Sequence, residues 1–169
     1  MQDSAYALEV ATGNWKPNDT LPKLITQRSY HGSCVVGETL YVVAGESGVQ
    51  NELSTIEMLG MRLNNDLSFK YLSKSWREIK TLNLRPRILP FVSAIGKNSL
   101  LVYGGRYKLD GVIFDMDQNF MERKIKETED LEIESEMSHG ILTSTGVAIG
   151  TAIDGNNNFV LLAYRPERN

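Results

Sequence analysis

Arg28-Ser29-Tyr30-His31-Gly32, followed by Gly37 and then by Leu40-Tyr41-Val42-Val43-Ala44-Gly45, returns further along the chain. The second copy is Arg87 to Gly96, followed by Leu100-Leu101-Val102-Tyr103-Gly104-Gly105. The offset from Arg28 to Arg87 equals that from Gly37 to Gly96, and the offset from Gly45 to Gly105 is one position longer. Trp15 and Trp76 keep nearly the same beat outside those blocks. A weaker third copy follows: Val160 to Arg165 stands as far beyond Leu101 to Arg106 as Arg87 stands beyond Arg28, and His139-Gly140 echoes His31-Gly32. A fixed period of this size points to a propeller or an array rather than to a catalytic domain of unique architecture.

Each copy resolves into short strands separated by turn residues. In the first, Ser33 to Val36 is a short apolar strand, Gly37-Glu38-Thr39 a tight turn, and Leu40 to Ala44 a second strand. A polar loop, Glu46 to Glu52, leads to a third strand at Leu53 to Leu59, and Trp76 marks a fourth. Gly60 to Ser73 is longer than a hairpin needs and reads as an inserted loop or an extended strand pair. The second copy has strands at Phe91 to Ile95, Leu100 to Tyr103 and Val112 to Met116, with Phe120 standing where Trp15 and Trp76 stand. Before the first copy, Tyr6 to Val10 and Trp15 read as the outer strands of a unit whose inner strands are missing. After the second, Leu142 to Ile149 and Phe159 to Tyr164 read as inner strands joined by the loop Asp154 to Asn158. Four short strands per unit with no helical periodicity is the pattern of an antiparallel blade. The expected class is therefore all-β, antiparallel four-stranded blades of a partial β-propeller. One segment, 1–169, divides into outer strands at 5–22, blades at 28–83 and 84–126, and inner strands at 138–166. Between these, Glu127 to Glu136 carries six acids in ten residues and reads as a solvated face.

Bulk properties narrow the function classes. With 169 residues, 41% of them apolar and 23% charged, the chain is an ordinary globular one. A net charge of -3 and a pI near 5.5 give no general attraction to nucleic acid or anionic lipid. No apolar run approaches the roughly 18 to 20 residues that span a bilayer, and the first residues lack the basic and hydrophobic regions of a signal peptide. One cysteine, Cys34, forms no intrachain disulfide and no multi-thiolate metal site. The expectation is a cytoplasmic protein, with the sequon at Asn18-Asp19-Thr20 a chance occurrence.

The repeats resemble kelch repeats, the blade units of a β-propeller. The resemblance rests on Arg28-x-x-His31-Gly32, on Leu40 to Gly45, on the pair Gly104-Gly105, and on the hairpins ending in Trp15 and Trp76. It implies that the glycines end an inner strand where backbones pack closely, and that the tryptophans lie between adjacent sheets. Kelch units are spaced about 50 residues apart, and the surplus here matches the Gly60 to Ser73 insertion. Only the second copy keeps both glycines; the first has Ala44-Gly45 and the third Ala163-Tyr164. The units sum to about three blades, whereas closed propellers carry roughly 4 to 8. Closure then comes from a longer propeller, from pairing of two chains, or from a different form of capping.

No catalytic constellation stands out. His31 and His139 fall at equivalent repeat positions, which marks them as structural, and Cys34 sits within an apolar strand as an inert thiol. No HExxH, P-loop, GxSxG or dinucleotide fingerprint is present. Arg28 and Arg87 recur at one position, where a guanidinium fork would hold blade-to-blade carbonyls. The resemblance implies that loops following the glycine-containing strand form a partner-binding rim. Those loops are Glu46 to Glu52 and Arg106 to Asp110, so the candidate binding residues are Arg106, Tyr107, Lys108, Gln50 and Asn51. The expected function is a non-catalytic protein-interaction module with a protein partner, no cofactor and no metal. Two alternatives stand beside it: a propeller enzyme, either a copper oxidase or sugar-processing, and a structural piece that completes a larger propeller. Stoichiometric copper in the purified protein would select the first of these.

Overall fold

The protein is described from a computed structural model, in residues 8–9, 12–15, 21–63, 69–106, 108, 110–118, 120–125, 138–142, 148–153 and 159–164. Tyr107, the acidic run Glu127 to Glu136, the sequon at Asn18 and the loop Asp154 to Asn158 lie outside those residues. The described chain is all-β, with one 3-10 turn at Met116–Gln118. Among the described residues no helix is long and apolar enough to cross a membrane.

The chain opens on a small hairpin, β1 (Leu8–Glu9) and β2 (Asn14–Trp15). The first blade follows: β3 (Gly32–Val36), β4 (Thr39–Val43) and β5 (Ile56–Leu63) pair antiparallel in sequence order. β6 (Phe69–Tyr71) pairs with the far end of β5, and β7 (Arg77–Ile79) with its near end. The insertion is thus an extended strand pair: β5 runs on past the blade and β6 folds back along it. The second blade is β8 (Phe91–Ile95), β9 (Ser99–Tyr103), β10 (Gly111–Asp115) and β11 (Met121–Ile125), a four-stranded meander. A third sheet contains β12 (Ser138–Leu142), β13 (Ala148–Ile153) and β14 (Phe159–Tyr164).

Local chemistry sets these strands. Valine, isoleucine, leucine and aromatic residues fill them because such side chains fit a pleated, half-buried surface. Gly37 and Gly96 take φ of +58° and +59° in the turns between the first two strands of each blade, a backbone region that suits glycine.

The innermost strands lie side by side, with β8 packed against β3 on one side and β12 on the other. Gly32 makes the first of these contacts close: a Cβ there would collide with the Val92 side chain and lie 2.9 Å from the Pro90 carbonyl oxygen. The main core fills the space between the first two blades. Val36, Tyr41, Val43 and Ile56 come from the first, and Val92, Leu100, Val102, Val112 and Phe114 from the second. Alternation along β4 sends Leu40 and Val42 to the other face, where they meet Leu59, Trp76, Leu21 and Leu24.

Some details of the sequence reading change. The run from Leu142 to Ile149 is not one strand: it joins the end of β12 to the start of β13, and those two strands pair as a hairpin. The echo at Val160 is out of step by one strand, since β14 pairs with β13 as the third strand of its sheet, the place β5 and β10 hold in theirs. Innermost strands begin at Gly32, Phe91 and Ser138. The second of those intervals is shorter than the first because the second unit lacks the insertion. Trp15, equivalent in sequence to Trp76, is 66% exposed and lies on the small hairpin rather than between sheets.

Candidate functional site

Two arginines brace the loops from which the site is built. Arg28 Nη1 donates to the Ala44 carbonyl (2.8 Å) and to that of Thr55, while Nη2 reaches the Glu57 carboxylate. Arg87 Nη1 donates to the Gly104 carbonyl (2.7 Å) and to that of Asp110, while Nη2 meets the Asp110 carboxylate. Both guanidinium groups are fully buried. Burial lowers the Arg87 pKa and Asp110 opposes that shift. The carbonyls held belong to each arginine's own blade, so the fork clamps the loop between the second and third strands. Blade-to-blade bonds come instead from the backbone: Gly45 N–H donates to the Arg87 carbonyl and Arg87 N–H to that of Leu53.

The glycines complete the clamp. Gly45 has φ +95° and Gly105 +114°, and a Cβ at these positions would lie 2.6 Å from the Ser29 oxygen and 2.8 Å from the Ile88 oxygen. Ser29 and Glu46 exchange backbone hydrogen bonds, and Arg106 N–H donates to Ile88 in the matching place. The two loops therefore leave their blades in the same way.

Between these loops lies a cleft of about 540 Å³, lined by Tyr30, Glu46, Gln50, Glu52, Ile88, Leu89 and Arg106. It sits where the first blade's loop meets the start of the second blade's innermost strand. Tyr30, Gln50 and Leu89 have φ of +53°, +59° and +54°, conformations that cost non-glycine residues free energy and persist only where the surroundings hold them. The surroundings are visible: Leu89 N–H donates to the Tyr30 carbonyl (2.7 Å), and Gln50 N–H donates to Glu46 Oε1 (2.8 Å). Tyr30 is 57% exposed and Val49, at the loop tip, 92%.

Of the candidate binding residues, Gln50 and Arg106, distant in sequence, meet in this cleft. Lys108 lies beside it, its Nζ 4.0 Å from Glu52 Oε2 across the two loops. Asn51 serves the loop instead, its carbonyl accepting from Ser47 N–H, and Tyr107 is not among the described residues. The loop reading overlooked Tyr30, Ile88 and Leu89, which precede the innermost strands rather than follow the glycines. Their signal was the repeat itself, since Tyr30 and Leu89 hold the same position in their copies.

The other reactive groups are subdued. Burial pushes the Cys34 thiol up to about 12, far above the range of a nucleophilic thiolate. Burial and the Arg28 guanidinium lower the His31 pKa, with Glu57 pulling it back in part, although the residue keeps an exposed surface.

Residues 27–65 match the kelch motif, a stretch that spans β3, β4 and β5 with the first arginine clamp and one wall of the cleft. The first blade carries a kelch motif. No curated protein matches the chain. The kelch match covers the copy with the longest insertion. Its arginine, its Gly45 and its inner strands recur in the second blade at matched positions.

Proposed function

We propose that this chain is a non-catalytic protein-interaction module that receives its partner at the cleft between the first two blades. The observation that carries this reading is the cleft itself. An exposed tyrosine, an arginine and the apolar Ile88 and Leu89 converge there on a backbone held by buried clamps. Tyrosine and arginine dominate binding energy at protein interfaces because each combines contact area with directed hydrogen bonds. A rigid frame also lowers the entropy lost on docking. The reading places the protein in a reducing, cytoplasmic setting, consistent with its lone and inert thiol.

Peptides selected from a displayed library on the parent chain provide the test. Tyr30→Ala and Arg106→Ala should each weaken their binding by about 1 to 2 kcal/mol and leave the melting temperature nearly unchanged. Selected peptides that bind both variants as well as the parent would place the interaction elsewhere.

A further inference from the structure

The cleft between the first two blades has a charge pattern of its own, set by how the first loop pairs with itself. Past the end of β4, Glu46 bridges to Ser29 on one side and to Glu52 on the other, both antiparallel. Residues opposed in such a bridge send their side chains to one face, with Cβ atoms about 4.5 to 5.5 Å apart, and like charges so placed repel. Glu46 and Glu52 both line the cleft. Little in the loop relieves them. Glu46 Oε1 accepts the neutral Gln50 N–H at 2.8 Å. Lys108 Nζ stands 4.0 Å from Glu52 Oε2, and both side chains are partly exposed, where water screens the attraction. Arg106 is the one cation in the described lining, against two carboxylates.

Aromatic and apolar surface lies beside the acids, from the exposed Tyr30 and from Ile88 and Leu89. A carboxylate pair next to an aromatic ring suits a guanidinium best. Its planar fork meets carboxylate oxygens two at a time, and its weakly hydrated face stacks on a ring. An ammonium satisfies the acids but stacks less well. A calcium ion takes about 6 to 8 oxygen ligands, and among the described residues no three His, Cys, Asp or Glu side chains come together to hold one.

We propose that Glu46 and Glu52 receive an arginine side chain of the partner, carried on a segment whose adjacent apolar residue packs on Tyr30 and Leu89. This rests on the reading of the cleft as the partner site. The guanidinium complements the charge of the lining and ends the repulsion between the two acids. Arg106 is left to donate to carbonyl groups of the segment, and Lys108 competes with the incoming arginine for Glu52.

Peptides selected on the parent chain from a displayed library test this, and they should share an arginine at one position. In calorimetric titrations of one such peptide, replacing that arginine by glutamine should weaken binding to the parent about tenfold or more. On the variant carrying Glu46→Gln and Glu52→Gln, the same replacement should change affinity by no more than about twofold, because its partners are already neutral. Glu46→Gln alone keeps an acceptor for the Gln50 N–H and removes the repulsion. Its urea midpoint should therefore hold or rise while its peptide affinity falls. Lys108→Gln removes a competitor and should tighten binding about twofold. Glu38→Gln, at the other end of β4, removes an acid away from the cleft and should leave affinity unchanged.

Selected peptides with no arginine would overturn the proposal, as would an arginine whose loss costs the same on the parent and on the double variant. Calcium binding by the parent that Glu52→Gln abolishes would also overturn it, by assigning the carboxylates to a metal ion. In any of these cases, peptides that still lose affinity on Tyr30→Ala and Arg106→Ala would keep the cleft as the partner site. Peptides indifferent to those two variants as well would remove the site reading together with the arginine.

Discussion

Trp76 and Trp15 share a repeat position and differ in everything that determines energy. Trp76 is 5% exposed, donates its indole N–H to the Pro22 carbonyl at 2.8 Å and packs on Val42 and Leu59. Trp15 leaves most of its surface to solvent. Trp76→Ala should therefore destabilise the fold by about 3 to 5 kcal/mol, and Trp15→Ala by no more than about 0.5 kcal/mol. Urea unfolding of the two variants checks this, and equal losses would contradict the packing described. The kelch resemblance implied that both side chains lie between sheets. It could not register that burial needs a neighbour as well as an aromatic ring.

At the scale of the element, the unit of construction is the loop clamp of arginine, carbonyls and carboxylate. The two blades build it with different acids. Glu57, on β5, serves the first and also accepts the Ile25 and Thr26 N–H groups; Asp110, in the loop before β10, serves the second. Repeat arithmetic found the arginines because their positions coincide. The acids escaped it because a carboxylate can approach a guanidinium fork from more than one strand. Arg28→Met leaves the buried Glu57 charge without its cation and should cost about 3 to 5 kcal/mol by denaturant unfolding. Arg28→Lys should recover only part, since one ammonium cannot span the Ala44 and Thr55 carbonyls and the carboxylate together. The exposed Glu38–Arg62 pair on the extended strand pair is a useful contrast: screening by water leaves Arg62→Ala close to neutral. If Arg28→Met were as mild, the clamp would not be what holds the loops.

Among the described residues, His31 ties the stability of the whole molecule to pH. His31 has a native pKa below its ordinary 6.5, chiefly through burial and then through Arg28. Between those two values the unfolded chain takes a proton that the folded chain refuses. The histidine's contribution is therefore complete above pH 6.5 and is lost as the pH drops below it. Urea midpoints for parent and His31→Gln, measured from about pH 5 to about pH 8, should show the parent losing ground to the variant toward the acidic end. A parent curve parallel to the variant's would show that His31 does not titrate differently on folding.

Alternating strands, turn glycines and a recurring Arg, Gly and Trp were enough to read from sequence that the chain is all-β and built of antiparallel blades, and the kelch resemblance is matched over residues 27–65. Those features are local, set by pleat, turn conformation and the arginine's five donors. The position of the third unit was not readable in the same way. An insertion between Gly60 and Ser73 lengthened one period, so a constant spacing carried the alignment one strand too far. The cleft was half readable. Gln50 and Arg106 follow the glycines in sequence, but Tyr30, Ile88 and Leu89 join them only because neighbouring innermost strands pack side by side. Which side chains are covered is likewise a property of contacts between units. Ile25 and Leu84 occupy the same repeat position, yet Ile25 is exposed and Leu84 lies in the core, because burial is decided by what packs against a side chain.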